Sequence, residues 1–132
     1  MSDAEDRVSR GRAAYASQFR LPEDEAVEEL KRTVGERMAD EAIHAAGGAC
    51  VDDCLSLRDR SLVVLAALIT QGGVDERLRG HAQWALDHGA TLKELEAMAT
   101  LLAVYIGYPR AAVAMQTIIE VVRDEQSLSP PP

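Results

Sequence analysis

At 132 residues with 47% hydrophobic side chains, the chain is long enough to bury a core and short enough to gain from association. Twenty-two acids against fourteen lysines and arginines leave a net charge of −8, which repels a phosphate backbone or an anionic membrane surface, so no nucleic acid and no membrane partner is expected. The opening MSDAEDRVSRGR has no apolar run of the secretory kind, so the expected location is cytoplasmic, with Cys50 and Cys54 as reduced thiols.

One all-helical domain over residues 1–126 and a disordered tail over 127–132 are expected, since Ser-Pro-Pro-Pro cannot continue a helix. Residues 3–19 suit a first helix with Val8, Ala14, Tyr15 and Phe19 inward, broken by Leu21-Pro22. The acids Glu23-Asp24-Glu25 complement the start of a second helix, which runs to about Val34. After Gly35 a third turns Met38, Ala42, Ile43 and Ala46 inward and ends toward Gly47-Gly48. Ala49–Leu55 is a joining segment with at most a short helical turn.

The stretch Ser56–Pro109 organises the rest. Ser56 and Asp59 make a shortened capping box for a helix ending at Gln71-Gly72-Gly73. Its Leu62–Ile69 run is apolar at every position, which predicts burial on all sides, yet it is too short to cross a bilayer. A helix from Asp75 to His88-Gly89 has Leu78, Ala82 and Ala85 as its inner stripe. His81 and Trp84 flank that stripe, and His88 lies two turns beyond His81 on the same side. Thr91-Leu92-Lys93-Glu94 is a full capping box, and Leu95, Met98, Leu102 and Tyr105 repeat at helical spacing until Gly107. Pro109 suits the first turn of a last helix reaching about Asp124. Both Leu62–Ile69 and Ala111–Val122 ask for burial on more than one side, so a homo-oligomer is expected.

His81 leads the candidates for chemistry, because an imidazole can give or take a proton near neutral pH and this one borders an apolar face. Arg60 sits in a first turn that disfavours cations. It either clamps a substrate carboxylate or pairs with an acid such as Glu94 or Glu41, whereas Arg58 reads as a solvated charge. Glu94 is explained locally by its cap. Tyr105 has a polar tip on the inner stripe, suited to a pocket or to a backbone carbonyl, and Trp84 reads as core, interface or ligand wall. The histidines are His44, His81 and His88, without zinc-type spacing, so no metal is expected. Neither a phosphate loop nor a Gly-x-Ser-x-Gly elbow occurs, so no nucleotide or other cofactor is called for.

His81, Ala85, Leu86, Gly89, Thr91, Glu94 and Leu95, followed by Tyr105, Gly107 and Pro109, resemble the core signature of the carboxymuconolactone decarboxylase family. That superfamily also holds the alkylhydroperoxidase D proteins. Arg60-Ser61-Leu62 is similar to the family's entry into its first core helix, and Val34-Gly35 to its earlier turn, so the resemblance covers roughly residues 30–122. It implies an all-α, alkylhydroperoxidase D-like bundle of six to seven helices, assembled as a homotrimer or homohexamer. It further implies a cofactor-independent lyase or proton-transfer enzyme for a small carboxylated or lactone substrate. His81, Glu94 and Tyr105 would be catalytic, with Arg60 and Trp84 binding substrate.

Two departures from the family pattern bear on activity. The decarboxylase branch has a second acid one turn after Glu94 and often a polar residue a turn later, where this chain has Ala97 and Leu101. Glu96 does not replace that acid, since one residue of offset turns a side chain by about 100°. The peroxidase branch carries Cys-x-x-Cys within that same helix, and here the helix has no cysteine. Two alternatives follow: an alkylhydroperoxidase-type antioxidant using Cys50 and Cys54, which are four residues apart, or a non-catalytic binder of a small apolar acid.

Overall fold

The structure, a computed structural model, describes residues 2–49 and 54–128 and contains no strand among them. Seven helices follow one another: α1 (Asp3–Phe19), α2 (Glu23–Val34), α3 (Glu36–Ala49), α4 (Leu57–Gln71), α5 (Asp75–Asp87), α6 (Leu92–Ile106) and α7 (Tyr108–Leu128). The all-α architecture read from the helical periods is the one observed. Cys50, with most of the joining segment expected to hold a short turn, lies outside the described residues. At the other end α7 continues to Leu128, past the end expected near Asp124, and the rest of the tail lies outside the described residues. The chain divides into two compact units, Met1–Leu55 with α1–α3 and Ser56–Pro132 with α4–α7.

In the first unit α1 starts on a capping box in which Ser2 accepts from the Glu5 amide and Glu5 accepts from the Ser2 amide. Its contact with α3 differs from the apolar stripe expected. Val8 is 39% exposed, and Gly11 is the buried residue of α1. The physical reason is a close crossing: a β-carbon at Gly11 would overlap the Ile43 carbonyl, and one at Gly47 would overlap the Arg7 carbonyl. Arg7 and Arg10 then donate to the His44 and Gly47 carbonyls at 2.9 and 3.1 Å, the second being one of the carbonyls that the end of α3 leaves open. Because the crossing fixes the rotation of α3, its buried face is Ala39, Ile43 and Gly47, and the expected Met38 is 63% exposed. Val27 and Leu30 of α2 complete this core, with Tyr15 and Phe19 packed at its edge.

The second unit keeps its sequence punctuation. Ser56 accepts from the Asp59 amide at 3.0 Å, Thr91 and Glu94 form the reciprocal cap, and Gly72 and Gly107 stop α4 and α6 at positive φ. Leu65, Ile69, Leu78, Leu95 and Ile118 form the centre of its core. Leu62–Ile69 is not covered on every side within the chain: Leu65 and Ile69 are buried, and Val63 is 60% exposed. The reason is that α5, α6 and α7 all approach α4 on the side that carries Leu65 and Ile69, while nothing in the unit covers Val63. Tyr105 likewise departs from the inner stripe. Leu95 is buried and Met98 and Leu102 pack on the core, but Tyr105 is 80% exposed, and Ile106 beside it takes the core side of the last turn.

Candidate functional site

Helix α5 turns Leu78, Ala82 and Ala85 into the core, which fixes the rotation of everything else on it. His81, Trp84 and His88 consequently form a row along one flank. Ring centroids are 5.8 Å apart between His81 and Trp84 and 4.8 Å between Trp84 and His88, with the planes tilted. Trp84 Nε1 is shut off from solvent and has no acceptor among the described residues.

Across from the row stands α4. Ser61, buried to 4% exposure, brings its hydroxyl within 2.9 Å of His88 Nδ1, and the Leu57 carbonyl one turn earlier accepts from the same ring. His88 is thereby fixed in position at the end of α5. Burial lowers its basicity; the Leu57 bond and Asp87 oppose that, and Arg60 adds to it. His81, half-buried with its Nδ1 shut off from solvent, is also pushed below the ordinary histidine value, by desolvation first and then by the Arg77 charge. Both rings are therefore neutral imidazoles at pH 7, able to accept a proton and later return it.

Glu94 is positioned differently from a free acid. One carboxylate oxygen accepts from the Thr91 amide and hydroxyl at 3.0 and 3.1 Å, and the other pairs with Arg58. The guanidinium of Arg58, expected as a solvated charge, instead ties the start of α4 to the start of α6 and also reaches Asp59. Arg60 is half-buried and close enough for its charge to act on His88, so it borders the row without being the partner of Glu94. Tyr105 points away from this core, as described above. Cys54 is an exposed free thiol, and Cys50 lies outside the described residues.

The pairing of Ser61 with His88 is the feature that sequence reasoning passed over. Its signal was present as a polar residue at the head of an apolar run, but the two residues are 27 apart and meet only through tertiary packing. Among the described residues no group of three or more His, Cys, Asp or Glu is arranged to hold a metal ion, and no helix is long and apolar enough to cross a membrane.

A family model described as the carboxymuconolactone decarboxylase family matches residues 39–120, well over half of the chain. The chain belongs to the carboxymuconolactone decarboxylase family. No curated protein and no solved structure matches it. The matched stretch begins within α3 and ends within α7, so the His81–Trp84–His88 row, Ser61 and the Arg58–Glu94 pair all lie inside the carboxymuconolactone decarboxylase region.

Proposed function

We propose that the protein is a cofactor-independent proton-transfer enzyme of carboxy-lyase type acting on a small carboxylated or lactone substrate, with His81 moving the proton. The observation that carries this reading is a half-buried imidazole kept neutral by desolvation and standing beside the Trp84 ring. On a lactone, His81 takes the proton from the carbon next to the carbonyl, and the electron pair is held as an enolate. The same proton returns to a different carbon, with no net change in protons. On a carboxylate, the carbon–carbon bond to the leaving CO2 breaks, its electron pair stays as the enolate, and His81 delivers to that carbon a proton drawn from water. Arg60 supplies the positive charge that a substrate carboxylate needs. His88, anchored by Ser61, fixes the far end of the row.

The protein works as a homo-oligomer, a trimer or hexamer. Leu101, Val104 and Tyr105 are 62, 79 and 80% exposed and follow one another at helical spacing on α6, so they form an apolar face that a further copy would cover. In that arrangement Tyr105 belongs to the contact between copies.

The test is incorporation of solvent deuterium into a panel of small keto acids, unsaturated acids and lactones, followed by NMR. His81→Gln is expected to lower exchange by at least about a hundredfold, the usual size of a lost general base, with circular dichroism unchanged. Exchange that proceeds equally well in the variant removes His81 from the reaction.

A further inference from the structure

We propose that the α4–α7 unit carries a second small-molecule site, lined by apolar residues of α4–α7 and closed at one edge by Arg110, which binds a monocarboxylate with an apolar tail. A half-open cavity of about 650 Å³ has walls that include Leu68, Ile69, Leu78, Ile106 and Val113. That volume suits a drug-sized or medium-chain ligand. None of His81, Trp84, His88 or Ser61 lines it, so it is separate from the site proposed above.

Arg110 gives the cavity its selectivity. Its Nη1 donates to the Thr70 carbonyl at 2.7 Å, which holds the guanidinium at the end of α4. It lies against Gly72, where a β-carbon would come within 3.3 Å of Nε. Among the described residues Arg110 is bonded to the Thr70 carbonyl and to no carboxylate, although the chain has a net charge of −8. Asp75 is the carboxylate on the same lining, and it does not pair with Arg110; its place in the first turn of α5 suits the helix dipole. A guanidinium retains four further N–H donors after one is committed to Thr70, enough to receive a carboxylate through two bonds. A largely apolar cavity whose lining carries one oriented cation, held by Thr70 and not paired with Asp75, matches an acid at one end of a hydrocarbon chain. A phosphate lacks the tail, and a neutral hydrocarbon leaves the cation unused.

Isothermal titration calorimetry with sodium octanoate, 1-octanol and sodium acetate tests this directly. The wild-type chain is expected to take up one octanoate per chain, and octanol and acetate about tenfold more weakly or worse. Arg110→Gln, at an exposed position, is expected to weaken octanoate about tenfold and leave octanol unchanged, in keeping with one lost charge-assisted interaction. His81→Gln is expected to bind octanoate as wild type does. Contacts from the octanoate chain to the Val113 and Leu78 methyls, seen as intermolecular NOEs, locate the ligand without any substitution. The proposal is overturned by absence of octanoate binding, by equal affinity in Arg110→Gln, by loss of binding in His81→Gln, or by NOEs to other residues. It is equally overturned if octanoate is not bound and Val113→Asp changes the sedimentation coefficient, since a second copy then covers this face.

Discussion

His81 and His88 lose basicity on folding, and the direction of that loss fixes how the protein responds to acid. Each folded-state pKa lies below the ordinary value of 6.5, so the unfolded chain binds more protons in the interval between the two. Stability is therefore fully present above about 6.5 and falls as pH drops from there through the depressed values. Urea melts between pH 5 and pH 7.5 are expected to show this decline, and His81→Gln is expected to flatten part of it. His81 was legible in the sequence because it flanks a stripe of Leu78, Ala82 and Ala85 at helical spacing. The Ser61–His88 bond and the Arg58–Glu94 pair were not, because each joins residues on different helices and depends on how α4 meets its neighbours.

At the scale of the helices, two substitutions separate local signals from packing. Thr91→Ala removes the hydroxyl that caps α6 and is expected to cost about 1 kcal/mol, read from chemical denaturation. Gly11→Ala forces a methyl group into the Ile43 carbonyl and is expected to destabilise the chain by about 3 kcal/mol, the upper end for overpacking, because the obstacle is backbone. The cap was readable from Thr91 and Glu94 alone, since its partners are three residues apart. The Gly11–Ile43 crossing was not, since glycine leaves no mark in an apolar period. That omission explains why α3 was expected to turn Met38 inward when Ala39 is the buried residue.

For the whole molecule, the helical class followed from periods and caps that agree along the chain, and the family match rests on the same stretch. The demand for a partner was read from Leu62–Ile69 and Ala111–Val122, of which Leu65, Ile69, Ile118 and Val121 are buried within one chain while Val63 and Val113 stay 60 and 55% exposed. Further uncovered apolar surface lies on Leu101, Val104 and Tyr105 of α6, because periodicity tells which residues share a face but not which face the other helices leave open. Sedimentation equilibrium is expected to show trimers or hexamers for the wild type and smaller species for Val104→Glu, which puts a charge in the centre of that surface. A wild-type protein that stays monomeric at micromolar concentration contradicts the assembly.

The most direct measurement of the central claim is an NMR pH titration of the imidazole C–H signals, with His81 assigned through His81→Gln. A desolvated His81 in the grip of the Arg77 charge titrates clearly below 6.5 and moves upward in Arg77→Gln. A His81 that titrates at or above 6.5, with no response to Arg77→Gln, would be an ordinary solvated histidine and contradicts the proton-transfer reading.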